Sequence, residues 1–276
     1  MENQGEIKLK IQKLLGAEIT QFLLKGQGYC NDAYYVETGE DNKYIVKQER
    51  NNKKAEEQNN LLVEAGVIQE LYKMNLSVPS PCVVFVSEKP KMYGYKYIEG
   101  EMMKDVWGSL SEKEKIDICH TIGIFHAEIG KVFTKEIARA SSVKIDESPY
   151  VHPEVTDEYN KALASVDVPD EFKMLVKKAK VIFDGTSKKV VFQFIHNDPH
   201  HENIIIRDKK ISGIIDFGAA EWGEVAKEFS RYIRDYPDYF QHIVSAYEKE
   251  SGHKLSYERL VSNALLCDFP DIVENY

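Results

Sequence analysis

Three residues late in the chain have the types and spacing that phosphoryl transfer uses: Asp198, Asn203 and Asp216. The first two lie in His196-Asn197-Asp198-Pro199-His200-His201-Glu202-Asn203, and the third opens Asp216-Phe217-Gly218. Moving a phosphoryl group from a nucleoside triphosphate to a hydroxyl needs a carboxylate that orients and deprotonates the hydroxyl. It also needs an amide and a second carboxylate that hold Mg2+ on the phosphate oxygens. Asp198 fits the first role, and Asn203 and Asp216 fit the other two. β-Branched runs at 190–195, 204–206 and 211–215 flank these residues. The pattern predicts strand, loop, strand, turn, strand, loop, with the polar groups at strand ends.

Upstream residues extend the same chemistry. Gly26-Gln27-Gly28-Tyr29-Cys30-Asn31 is a glycine turn between two strands, which lets backbone N–H groups of Gly26, Gly28 and Asn31 approach a triphosphate. Such a turn also reads as an ordinary hairpin. Lys47 ends the run Tyr44-Ile45-Val46-Lys47, and Glu64 on the following helix is favoured as its partner over Glu56 and Glu57, which a helix-dipole role explains. In Tyr93-Gly94-Tyr95-Lys96-Tyr97-Ile98-Glu99-Gly100, the Lys96 C=O and Ile98 N–H are candidates to meet a purine edge, with Tyr95 behind it. The same three tyrosines also read as plain strand alternation. His196 is expected to buttress its loop, and His200 and His201 to shape it or touch the acceptor.

Two other functions compete. His196, Asp198, His200, His201 and Asp216 could bind transition metals in a hydrolase, but that leaves Lys47, Glu64 and the Asn203 spacing without a purpose. A non-catalytic nucleotide-binding module is the other, and the intact Asp198, Asn203 and Asp216 argue against it.

The elements that must position these groups divide in character. Ile7, Ile11, Leu14 and Leu15 mark a short helix stopped by Gly16. Strands are expected over 19–24, 33–37 and 43–48, then a helix over 55–75 with Leu61, Ala65, Ile68 and Tyr72 on one face. Val78-Pro79-Ser80-Pro81 forces an extended connector, and strands over 83–86 and 93–98 follow around Lys89-Pro90-Lys91. That order describes a five-stranded sheet with one helix against it. After Gly100 the pattern is helical. It includes a capping box at Ser111-Glu112-Lys113-Glu114, helices over 154–164 and after Val168 with Pro169 in the first turn, and terminal helices over 225–234, 237–249 and 257–274. The division is placed near Glu99-Gly100, giving a nucleotide-binding lobe 1–99 and a catalytic, substrate-binding lobe 100–276.

Composition narrows the partners. The 276 residues are 43% hydrophobic and 29% charged, with a net charge of −9. That balance argues against a protein working by nucleic-acid phosphate neutralisation and is compatible with a cationic small substrate. Cys30, Cys82, Cys119 and Cys267 are far apart with no zinc spacing, as reduced thiols would be. No apolar leader and no membrane-length apolar run is seen, so a cytoplasmic location is expected; a monomer or weak dimer is a separate expectation.

The motif His196-x-Asp198-x-x-x-x-Asn203 followed by Asp216-Phe217-Gly218 resembles the signature of the aminoglycoside phosphotransferase and choline-kinase-like family. The run Gly26 to Val36, the Tyr95-to-Gly100 segment and His-Asn-Asp with Glu202-Asn203-Ile204 are most similar to the 2″-type aminoglycoside phosphotransferases. The resemblance implies an α+β, protein-kinase-like bilobal fold with a five-stranded antiparallel sheet in the N-lobe and a mainly helical C-lobe. It implies Mg2+ with ATP or GTP as donor, GTP being associated with a bulky residue resembling Tyr95, and an antibiotic hydroxyl as acceptor, with a role in resistance. A macrolide or another small metabolite is the alternative. Candidate acceptor contacts are His200, His201, Glu202, Asp235 and Asp268, beside other acidic residues such as Asp157, Glu158, Asp238 and Asp271. Glu224-Val225 and Glu228 depart from the family pattern, which has Asp-Pro and a helical Asp there, and Pro199 is also unusual.

Overall fold

The computed structural model describes residues 4–28, 30–39, 42–50, 61–148, 153–165, 168–186 and 190–274. The chain packs into two compact units, Met1–Met102 with Ile205–Ala219, and Met103–Ile204 with Ala220–Tyr276. The expected division at Glu99–Gly100 lies just before the end of the first segment, and residues 205–219, expected in the second lobe, pack with the first unit.

The first unit opens with helix α1 (Gln4–Leu15), ended by Gly16 at φ +65°. Strands β1 (Ile19–Gln27), β2 (Asn31–Thr38) and β3 (Asn42–Glu49) follow, then helix α2 (Leu61–Tyr72) and strands β4 (Val83–Glu88) and β5 (Lys91–Lys96). These strands form the expected five-stranded sheet, in the order β1-β2-β3-β5-β4, with every neighbouring pair antiparallel. Ile7 and Ile11 of α1 pack with Ile19, Tyr34, Val36, Val46 and Met92 in one apolar cluster. A second sheet, β10-β9-β6, joins β6 (Glu101–Met102) to β9 (Ile204–Arg207) and β10 (Lys210–Ile214). Gly100 enters it at φ +144°, where a Cβ would come within 2.5 Å of the Ile206 C=O, so only glycine fits there.

Helix α2 differs in detail from the expectation. Its expected first turns, with Glu56 and Glu57, lie outside the described residues. It ends at Tyr72 rather than Asn75, because Lys73 and Met74 N–H turn to the carbonyls three residues back. Leu61, Ala65 and Ile68 are buried, as is Leu71, expected to widen that face, whereas Tyr72 is exposed.

The second unit is mainly helical: α3 (Met103–Val106), α4 (Glu112–Val132), α5 (Lys135–Ala140), α6 (Pro153–Ala164), α7 (Asp170–Gly185), α8 (Val225–Asp235), α9 (Phe240–Ser251) and α10 (Tyr257–Glu274). The Ser111 capping box is present in full at α4 and contributes about 1 kcal/mol. Pro169 stands at the N-cap of α7, one step before the expected first turn. Helix α9 starts at Phe240 rather than Pro237, since Tyr239 and Phe240 N–H both bond to Tyr236 C=O in a preceding turn. Strands β7 (Lys144–Ile145), β8 (Phe192–Ile195) and β11 (Glu221–Glu224) form a small sheet in the order β7-β11-β8. Phe194 of β8 stacks on Phe133 with centroids 4.0 Å apart, which fixes the strand that leads into His196. Among the described residues no helix is long and apolar enough to cross a membrane.

Candidate active site

In the first unit the sheet and α2 bring three charged side chains together. Lys47 Nζ lies 2.7 Å from Glu64 Oε1 and 2.7 Å from Asp216 Oδ1. Lys47 comes from the buried end of β3. Glu64 comes from the apolar face of α2, among Leu61, Ala65, Val67 and Ile68. Asp216 follows β10 in a left-handed conformation, φ +66°, and leaves its carboxylate half-exposed. Burial disfavours the Lys47 charge, but the Asp216 and Glu64 carboxylates outweigh it and hold its pKa above the usual lysine range. Burial pushes Glu64 upward, opposed by Lys47. One lysine against two carboxylates leaves excess negative charge beside the half-exposed Asp216, which suits a divalent cation.

The glycine turn stands at the β1–β2 end of this sheet. Gly28 N–H donates to Asn31 C=O at 2.9 Å, and Arg50 Nη1 donates to Gly28 C=O at 2.8 Å. Gly26 and Gly28 are exposed, and Ala33, beyond the turn, is in register with Lys47. Tyr95 is buried and stacked on Tyr93, centroids 5.9 Å apart. Lys96 is exposed with its N–H bonded to Cys82 C=O. Ile98 lies over Gly213, where a Cβ would come within 2.6 Å.

In the second unit residues 196–203 form a loop tied to itself. Asp198 N–H donates to His196 Nδ1 at 3.2 Å, the buttress expected of His196. Asn203 Nδ2 donates to Asp198 C=O at 2.9 Å. That commits the amide nitrogen within the loop and leaves Oδ1 as the atom suited to a metal. His200 Nδ1 accepts the Glu202 N–H, so the neutral ring carries its proton on Nε2, 3.5 Å from Asp198 Oδ2. Desolvation raises the Asp198 pKa, but the His200 hydrogen bond and the charges of His200, His196 and Arg231 hold it below the usual aspartate value. His200 is raised in turn, chiefly by Asp198. His201 Nδ1 lies 3.6 Å from Asp235 Oδ2, and Arg234 also binds Asp235, at 2.8 Å. Glu202 pairs with Lys104 at 2.6 Å. Asp268 lies in α10, with its side chain outside the described residues. The three loop histidines are thus engaged within the protein. Among the described residues no three His, Cys, Asp or Glu side chains are grouped to hold a metal ion.

Reading the sequence missed how this loop is supported. Asn197 is left-handed, φ +62°, and its N–H donates to Glu228 Oε2 at 3.0 Å. Glu228 is fully buried in α8 and faces His126 Nδ1 at 3.3 Å, while His126 Nε2 meets the Tyr232 hydroxyl at 2.9 Å. The available signal was a glutamate within the apolar face Val225, Phe229, Tyr232. Glu224, the other departure noted, is a structural partner of buried Arg259, whose Nη2 donates to its Oε2 at 2.6 Å.

Burial raises Glu228 to about 8, and burial lowers His126 to about 3. Between pH 4.5 and 8 the folded chain keeps a Glu228 proton that the unfolded chain has released, so this group's stabilisation falls as pH rises. Between pH 3 and 6.5 the unfolded chain holds the extra His126 proton, so that contribution rises with pH. The two oppose each other between pH 4.5 and 6.5; above that Glu228 lowers stability at about 1.4 kcal/mol per pH unit, and His200, raised by Asp198, adds a loss of the same sign. Glu228→Gln keeps an oxygen for the Asn197 N–H and should remove the Glu228 share of the loss between pH 6.5 and 8, leaving the shallower slope that His200 supplies. Urea midpoints measured across that range decide it, and an unchanged slope in the variant refutes the buried-proton account.

Residues 24–260 match the model of a family described as phosphotransferase enzymes. No curated protein sequence matches the chain. Solved structures share the fold at low identity. The streptomycin–ATP ternary complex of APH(2″)-IIa is 19% identical with a TM-score of 0.67, covering 100% of this chain and 92% of that one. The GDP complex of aminoglycoside 2′-phosphotransferase-IIIa is 13% identical at 0.75, covering 99% and 92%. The macrolide 2′-phosphotransferase MphH from Brachybacterium faecium is 13% identical at 0.71, covering 100% and 94%. With a family match that spans most of its length, the chain belongs to the phosphotransferase enzyme family.

Proposed function

We propose that this protein transfers the γ-phosphoryl group of ATP or GTP, with Mg2+, to a hydroxyl of a small molecule, an aminoglycoside first among the candidate acceptors. The observation that carries the reading is Lys47 bridging Glu64 and Asp216, in a chain whose second unit holds Asp198 ionised. Lys47, fixed by Glu64, meets the α- and β-phosphates, and the turn of Gly26, Gly28 and Asn31 lets the backbone approach the triphosphate, with the Gly28 N–H committed to Asn31 C=O and not among its donors. Lys96 C=O and Ile98 N–H receive the purine edge, with Tyr95 behind it. Asn203 and Asp216 would hold the metal, which when bound would supply charge neutralisation on the phosphate oxygens. Asp198 orients the acceptor hydroxyl and takes its proton as the new O–P bond forms and the β–γ bridge breaks. His200 Nε2–H holds one oxygen of that carboxylate and keeps it from protonating early.

The acceptor assignment draws on neighbours whose structures hold streptomycin or kanamycin. The macrolide phosphotransferases of the same fold support a second acceptor class. The test mixes purified protein, Mg2+ and either nucleotide with aminoglycosides, macrolides and amino alcohols in turn. It follows nucleoside diphosphate release and the acceptor's mass. A phosphorylated acceptor is expected. Tight nucleotide binding with no transfer across the panel overturns the reading in favour of a binding module, and metal-dependent release of groups other than phosphate favours a hydrolase.

A further inference from the structure

We propose that Arg231 contacts the phosphoryl group during its transfer, as a cation supplied by helix α8; this rests on the phosphotransfer reading above. Arg231 is half-buried, and among the described residues it forms no hydrogen bond and no ion pair. Its place on α8 makes that unusual. Glu228 stands three residues before it and Asp235 four after, the spacings at which a helical carboxylate neutralises an arginine. Both are taken: Glu228 by the Asn197 N–H and His126, and Asp235 by His201 and Arg234. Those contacts also fix where the row faces. Glu228 meets the start of the 196–203 loop and Asp235 meets its far side, so Arg231, between them, faces the stretch that carries Asp198. Its positive charge is felt at Asp198.

A half-buried guanidinium that feels the Asp198 charge but makes no direct hydrogen bond or ion pair among the described residues has donors left for an anion. The reaction brings one. The acceptor hydroxyl lies within hydrogen-bond reach of Asp198, and the attacked phosphorus is one near-attack distance beyond it, so phosphoryl oxygens come within about 5 Å of the carboxylate. Charge spreads over those oxygens as transfer proceeds, and a planar guanidinium matches them with paired donors. In the balanced step the acceptor O–P bond forms, the proton passes to Asp198, and the electron pair of the breaking P–O bond leaves with the nucleoside diphosphate. Arg231 donates hydrogen bonds and keeps its proton throughout.

The test compares Arg231→Ala and Arg231→Lys with wild type, using Mg2+ with ATP or GTP and the acceptor found in the panel, or water in its absence. Arg231→Ala should lose about 10²-fold in kcat, with nucleotide KM within about threefold and an unchanged urea midpoint. Arg231→Lys should lose less, and added guanidinium at low millimolar concentration should restore part of the alanine loss. A kcat within about threefold of wild type overturns the proposal. So does a loss that tracks a lowered urea midpoint and ignores guanidinium, because that is a packing effect. A wild type that transfers no phosphate fails the phosphotransfer reading itself, and this proposal falls with it.

Discussion

Asp198→Asn is expected to lower kcat by about 10³-fold while leaving nucleotide affinity nearly unchanged. The asparagine keeps the shape of the side chain, so the Asn203 amide and the His200 ring still have an oxygen to meet. What it removes is the charge that accepts the hydroxyl proton. The residues proposed to bind nucleotide, from Gly26 to Ile98, do not include Asp198, and the Asn203 amide keeps its bond to the residue 198 carbonyl in the variant, which is why affinity is spared. Steady-state kinetics beside equilibrium titration of a fluorescent nucleotide separates the two effects. Full retained turnover excludes Asp198 as the base.

Asp216→Asn is expected to cost about 10³-fold in activity and to shift the Mg2+ titration to higher concentration. The loss has two parts. The variant removes a proposed metal ligand, and it removes one of the two carboxylates that hold Lys47. Lys47 keeps Glu64 at 2.7 Å, so it stays charged and in place. The metal dependence, rather than folding, therefore carries most of the effect, and the Asp216 side chain is exposed enough for its replacement to change stability little. An activity drop with an unaltered Mg2+ midpoint counts against Asp216 as a ligand.

Much of this site was legible in the sequence because the residues that build it obey local rules. The strands flanking Asp198 and Asp216 are β-branched runs bounded by polar loops, and β8, β9 and β10 lie where that pattern put them. Lys47 and Glu64 paired as expected because Glu64 interrupts an apolar helical face, where a buried carboxylate needs a cation. The support beneath the 196–203 loop obeys no local rule. His126, Glu228 and Tyr232 meet through two helices distant in sequence, and nothing in periodicity pairs them. Left-handed Asn197 and Asp216 were equally hidden, since non-glycine residues adopt that conformation only where tertiary contacts hold them. The partners of the acidic residues named as acceptor contacts were hidden for a related reason. Glu202 and Asp235 each have a basic partner within the chain, which net charge alone does not reveal.

A double-mutant cycle on Mg2+–nucleotide affinity with Asn203→Ala and Asp216→Ala tests most directly whether Asn203 and Asp216 ligate the same metal–triphosphate. If both residues ligate the same ion, the second substitution adds little once the first is made, giving a coupling energy of about 1 kcal/mol or more. Strictly additive losses, or an Asn203→Ala variant that binds Mg2+–nucleotide like wild type, contradict a shared metal and with it the proposed mechanism.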